Sequence, residues 1–552
     1  MNKAAPENRN LILQGTILTV ITGAGWHYRH LAYIPDYQIP AAIAALMLTA
    51  GWFDWSVSIL KIVPRIFQHW RIAKPRGEKG TARWANLKDI RKAGLFNRSN
   101  RRTGYFVGSH KSIPLFIDIE SNGMVLSPAG GGKTTGFVIP VLMHHKGSIF
   151  ATDMKQGSLT AITARSRRKY LKNEIIILDP ADVASVRIQP AARYNPLSVL
   201  LDAWLDESKR KYLMSDLRSF AKQMLPEPKQ ATENTFFRNG SRKLLQFVLL
   251  YLVTRGETPT LTKALLLMSD MAALESALYV AKTSDLLGGE LKRFADDLLG
   301  KLTDGKREQF ESFREGALQV LEPYSPGSLL SEATSTSDFR FADMKKKDMT
   351  VYAVSDPTQK DALSEWMGLI SWCATNELMR ASGKRRVTFL LDEVTNYKVE
   401  GLPSLLTVAR EFGVVIWNIL QETEQWSHVY GKEALDTLLS QSEAQIVHGI
   451  TSVKTAELYS KRLGKASIRV KSHAIGRHAK DQVTRTLSEQ ERPLMTLDEL
   501  MTADFALLVL RGKPAIRFDV VGYHEAKPWR SRAGANPLYG KKRYKGKVKV
   551  RL

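Results

Sequence analysis

The chain has 552 residues, 44% of them hydrophobic, one cysteine and a formal charge of +25. That length exceeds what one hydrophobic core supports, so two or three domains are expected. A single cysteine, Cys373, excludes an internal disulfide framework. The charge is not spread evenly: Lys61 to Arg102 carries 13 Lys or Arg against two acids, and Lys527 to Leu552 carries ten and none. The rest of the chain is close to neutral, which excludes a uniformly cationic protein.

Two uncharged or nearly uncharged stretches open the chain, Leu11 to Trp26 and Ile39 to Leu60, the second interrupted only by Asp54. A membrane helix needs about 20 mostly apolar residues. The second stretch meets this, and the first is short and rich in Gly and Thr, with a cleaved leader as its alternative. The basic run from Lys61 orients the pair, because cytoplasmic flanks carry the excess Lys and Arg. This predicts a membrane anchor over residues 1–63 with the body in the cytoplasm. Lipid attraction alone accounts for a basic segment so placed.

At Met124 to Pro140 the sequence reads MVLSPAGGGKTTGFVIP. A short apolar strand leads into three glycines, Lys-Thr-Thr and a predicted helix over 136–145. The pattern G-x-x-x-x-G-K-[ST] is met except that Ser127 stands at the first Gly. Ser127, Pro128, Ala129, Gly130, Gly131, Gly132, Lys133, Thr134 and Thr135 are therefore the candidate phosphate cradle. Lys133 would reach the outer phosphates of ATP, and the Thr134 hydroxyl would hold Mg²⁺. A flexible Gly-rich turn is the alternative.

Further short apolar runs follow: 148–152 ending at Asp153, 175–178 ending at Asp179, 349–354, 387–391 ending at Asp392, 414–419, 446–449 and 505–510. They predict an α/β fold around a largely parallel sheet, whose ligands bind beyond the carboxyl ends of the strands. Between about 201 and 325 strand signals vanish and helical periodicity takes over, which predicts an all-alpha domain inserted into the sheet domain. The sheet domain then comprises residues 64–200 and 326–526, and residues 527–552 are expected to form a flexible basic tail.

In VTFLLDEVTN, Val387 to Asn396, a buried strand ends in two acids. Asp392 is a candidate Mg²⁺ ligand and Glu393 a candidate base for water attacking the γ-phosphate. Gln421, just past another predicted strand, is either a water-positioning glutamine or a loop residue. Arg410, before that strand, is an ordinary surface arginine or a finger acting on a neighbouring subunit's nucleotide.

The ordered set of segments resembles the type IV coupling proteins, the membrane-anchored ATPases of conjugation and type IV secretion. It includes GTARWANLKDIRKAGL at Gly80–Leu95, the phosphate loop, ATDMKQGS with Asp153 and Lys155, LDP at Leu178–Pro180, RYNPL at Arg193–Leu197, the Asp-Glu strand end, Gln421, and RPLMTLDEL at Arg492–Leu500. The resemblance implies a RecA-like P-loop NTPase domain with an inserted all-alpha domain and a homo-hexamer around a channel. It also implies roles for Arg410 as a trans-acting arginine and Gln421 as a sensor. The partners it implies are a relaxase bound to single-stranded DNA, held without sequence reading, and the secretion channel proteins. Two departures stand out: Ser127, and Gln156-Gly157-Ser158 where the family usually has Gly then Glu. A motor pumping chromosomal DNA and a docking receptor with a vestigial nucleotide site remain alternatives.

Overall fold

The computed structural model describes residues 79–227, 234–303, 305–474, 484–538 and 547–552, with a few isolated positions between 19 and 56. Apart from those isolated positions, the two expected membrane spans lie outside these residues. Among the described residues no single helix is long and apolar enough to cross a membrane.

The chain divides into two compact units. The larger, Arg83–Leu463 with Met495–Leu552, is built on a nine-stranded sheet. Its strands follow a hairpin, β1 (Tyr105–His110) and β2 (Ile113–Ile117), and are β3 (Asn122–Leu126), β4 (Ser148–Asp153), β5 (Glu174–Leu178), β6 (Met349–Val354), β7 (Val387–Asp392), β8 (Val414–Leu420) and β9 (Ser442–Val447). After a separate hairpin, β10 (Lys465–Ala474) and β11 (Thr484–Pro493), the sheet is completed by β12 (Ala506–Leu510) and β13 (Ile516–Phe518). The spatial order is β13-β12-β9-β3-β8-β7-β4-β6-β5. From β9 to β5 all neighbours are parallel, and β12 and β13 extend the edge antiparallel. Continuous Val, Ile, Leu and Phe runs suit strands covered on both faces, and β3, β4, β6, β7 and β8 are buried along their whole length.

The expected strands appear with small shifts. The run placed at 446–449 is Ser442–Val447, because Gly449 has a left-handed backbone (φ 63°) that ends it. The run at 505–510 pairs antiparallel rather than parallel. Every described element between β5 and β6 is helical, including Leu213–Met224, Asn234–Thr254, Leu261–Ser269, Met271–Lys282 and Arg307–Leu321. β5 and β6 are adjacent and in register, Glu174 facing Met349. The chain thus leaves the sheet and returns beside its point of exit.

The described parts of the carboxyl-terminal segment are folded, contrary to the flexible tail expected there. Ala526–Lys527 pairs in parallel with Val550–Arg551. Trp529 is buried, with its ring edge-on to Phe106 at 4.8 Å. One indole and one valine bury enough apolar surface to fix a segment whose composition is otherwise cationic.

The smaller unit joins the amino-terminal residues to the β10–β11 hairpin. In its described part, Ser467 Oγ accepts hydrogen bonds from the Lys79 and Gly80 amides at 3.0 and 2.9 Å.

Candidate functional site

β3 and β7 are not neighbours; β8 lies between them. The loop after β3 and the acids after β7 therefore flank the end of β8, which carries Gln421. This arrangement joins residues 258 positions apart: the Thr134 hydroxyl donates to Asp392 Oδ2 at 3.2 Å.

The loop's shape comes from its glycines. Gly130 and Gly132 have φ of 75° and 91°, a left-handed backbone that glycine adopts without the strain a Cβ brings. Gly131 has an ordinary backbone but no room: a Cβ there would lie 2.2 Å from Ser127 Oγ. The helix that follows starts with a π-turn at Thr134–Val138 and continues as Ile139–His144. Its first amides and its dipole face the loop, an arrangement that favours an anion. Lys133 is 4% exposed, and its ammonium donates to the Pro128 carbonyl at 3.5 Å. Burial lowers its pKa, opposed by the Asp392 charge. A buried ammonium with so weak a contact favours a phosphate partner.

Asp392 is 2% exposed, and burial raises its pKa. Its amide accepts no such penalty, since it donates to Thr152 Oγ1 at 2.8 Å. Its Oδ1 is buried without a hydrogen-bond partner. An orphaned carboxylate oxygen beside a hydroxyl and a phosphate cradle fits a divalent cation carried in with a nucleotide. Thr134 and Asp392 are the residues that would hold it.

Glu393 takes a left-handed backbone (φ 52°, ψ 41°), which a non-glycine residue adopts at a cost. Three donors hold its carboxylate: Asn396 Nδ2 on Oε2 at 3.0 Å, and Gln421 Nε2 (3.4 Å) and Lys155 Nζ (3.5 Å) on Oε1. Lys155 also donates to Thr134 Oγ1 at 3.0 Å.

Sequence reasoning assigned no role to Asn396, Lys155 or His448, yet all three border the site. His448 follows β9, the other neighbour of β3, and its Nδ1 lies 3.3 Å from Ser127 Oγ. Burial, reinforced by the Lys133 charge, lowers its pKa to about 4 and keeps it neutral. The serine at the first glycine position is thus buried and paired with this ring. Among the strand runs used to find the site, the 446–449 run was the signal for His448. Asp153, at the end of β4, is raised to about 6 by burial and accepts from the Thr160 amide and hydroxyl, both at 2.8 Å.

Arg410 is not brought to this site. It precedes β8, at the amino ends of the strands, while the loop lies beyond their carboxyl ends, roughly 20 Å away along the sheet. There its guanidinium pairs with Glu120 at 2.6 Å on an exposed face.

A glycine-rich loop after one parallel strand and an Asp-Glu pair after a second, with a glutamine just past the strand between, define a RecA-like P-loop nucleotide-binding fold. The family model for type IV secretory system conjugative DNA transfer matches residues 83–546. The chain belongs to that family. It is 25% identical to the protein VirD4 of Agrobacterium fabrum over 81% of this chain and 66% of that protein, so it spans about two thirds of the VirD4 length. It is 25% identical to a conjugal transfer protein TraG of Escherichia coli over 94% of this chain and 84% of that protein. The fold matches the bacterial conjugative coupling protein TrwB at a TM-score of 0.59, with 17% identity, covering 81% of this chain and 94% of TrwB. TrwB has also been solved with ADPNP, and with ADP and Mg²⁺, at TM-scores of 0.57 and 0.56.

Proposed function

We propose that the chain is an inner-membrane coupling ATPase. In this reading it recruits a relaxase–DNA complex, and protein effectors where present, and delivers them to a type IV secretion channel. The observation that carries it is the 3.2 Å contact between Thr134 and Asp392 beside the orphaned Asp392 oxygen. Mg²⁺ would neutralise charge on the β- and γ-phosphates of ATP. Lys133 binds the same phosphates, the loop amides cradle them, and Glu393 accepts a proton from the attacking water. Gln421 orients that water, and Arg410, remote from its own site, acts on a neighbouring subunit of a homo-hexamer. DNA would be held by its phosphates, without reading of sequence. Residues 1–63 anchor the protein, and the helices of 201–325 form the domain set into the sheet.

Lys133→Ala tests this reading. ATP hydrolysis falls at least about a hundredfold, DNA no longer stimulates it, and plasmid transfer is lost. Wild-type hydrolysis or transfer in this variant would overturn the reading.

The packing of Ser127 over Gly131 gives a second test. Gly131→Ala drives a methyl into the Ser127 hydroxyl, an overpacking cost of about 1–3 kcal/mol. ATP affinity measured by calorimetry should fall about tenfold or more. Adding Ser127→Gly in the same chain removes the clash and restores most of that affinity.

A further inference from the structure

The turn after β4 is pinned more tightly than a surface loop requires. Asp153 Oδ1 accepts the Lys155 amide at 3.2 Å, and the Lys155 carbonyl accepts the Ser158 amide at 3.0 Å. Gln156 and Gly157 are both left-handed, and a Cβ on Gly157 would meet Ala184 Cβ at 2.4 Å. This rigid turn aims one flexible side chain across the sheet ends. The Lys155 ammonium lies 3.0 Å from Thr134 Oγ1 and 3.5 Å from Glu393 Oε1.

Thr134 Oγ1 therefore serves two cations. Its oxygen accepts from the Lys155 ammonium, and the same oxygen is the one the proposed function gives to Mg²⁺. A hydroxyl whose proton goes to Asp392 still has two lone pairs, but two cations crowded onto them repel. Glu393 supplies the second foothold. When the hydroxyl is taken by the metal, Lys155 keeps its ion pair with Glu393, which fixes that carboxylate together with Gln421 and Asn396.

We propose that Lys155 is a positioning residue whose ammonium gives up the Thr134 hydroxyl as Mg²⁺-nucleotide binds and is left on Glu393 alone, so that metal entry tightens the hold on the glutamate. This deepens the reading of the site as a Mg-ATP hydrolase and rests on it. Lys155 touches neither water nor phosphate in this scheme; it acts through Glu393.

The test is a MgCl₂ titration of binding of a fluorescent ADP analogue, read beside steady-state hydrolysis, on the full-length protein. In Lys155→Ala the Mg²⁺ midpoint shifts to about fivefold lower concentration, because the competing ammonium is gone. In the same variant kcat falls about tenfold to a hundredfold as Glu393 loses its alignment. Lys155→Arg keeps a cation on both acceptors, so its Mg²⁺ midpoint stays near the wild-type value and part of kcat returns. An unchanged midpoint in Lys155→Ala, or a shifted midpoint with wild-type kcat, overturns the proposal. Wild-type protein that failed to bind the analogue at any Mg²⁺ concentration would instead sink the nucleotide-site reading beneath it.

Discussion

Glu393→Gln should abolish turnover while leaving nucleotide bound. The substitution preserves the size of the side chain and an oxygen for Asn396, Gln421 or Lys155 to grip, but it cannot take a proton from water. General-base catalysis of this kind contributes about 10²- to 10⁴-fold, so kcat should drop by that range. The phosphate cradle is untouched, because Lys133 and the Gly130–Gly132 amides lie on the loop after β3 and not on β7. Binding of a fluorescent ATP analogue should therefore stay within about threefold of wild type, a shift under about 1 kcal/mol. A fall in affinity as large as the fall in kcat would place Glu393 in ground-state binding instead. The contrast with Lys133→Ala is the informative part: one variant loses the phosphates, the other keeps them and stalls. DNA transfer should stop in both.

The loop and the Asp-Glu pair were legible in the sequence because each is a contiguous signal: a strand-like run, a break, then residues with one chemistry. Their meeting was also legible, since a parallel sheet sends its strand ends to one side. Asn396 and Lys155 were not, for a physical reason. Each contributes a single side chain from a turn whose aim depends on backbone geometry, such as the left-handed Gln156-Gly157 pair, that no periodicity encodes. Strand order was hidden likewise. Nothing in the apolar run at 414–419 says that β8 inserts between β3 and β7, and that insertion is what sets Gln421 against Glu393. The β10–β11 hairpin escaped notice because its ten-residue strands carry many charges, as in TRTLSEQERP. The carboxyl-terminal segment misled through composition: ten cations outweigh Trp529 and Val550 in any average, yet those two residues are buried.

Arg167 is expected to matter as much for stability as Glu393 does for turnover. Its side chain is fully buried on the helix Ser158–Tyr170, and burial lowers its pKa to about 10, so it remains charged at neutral pH. No carboxylate shares its hydrogen bonds. Its Nε donates to Thr350 Oγ1 at 2.6 Å, on β6. Its terminal nitrogens donate to the carbonyls of Leu142 (3.1 Å), His145 (2.5 Å) and Gly147 (2.6 Å). The Leu142 and His145 carbonyls sit at the carboxyl end of the helix that begins at the phosphate loop, where the dipole is negative and the last backbone acceptors lack helical partners, and Gly147 lies just before β4. The guanidinium is thus the cap that ties this helix to β6 and to the start of β4. Arg167→Met keeps the stem and volume but leaves buried carbonyls unpaired, at about 1–3 kcal/mol for each such group. A net loss of about 3–5 kcal/mol follows, comparable to breaking a buried charged network. In a unit of about 440 residues each kcal/mol moves Tm by only about 1 °C, so scanning fluorimetry should show a drop of about 3–5 °C. Arg167→Lys, with a point charge reaching at most part of the acceptor set, should fall between the two. A Tm within about 2 °C of wild type for Arg167→Met would show that water replaces the guanidinium at those carbonyls, and the capping argument would fail.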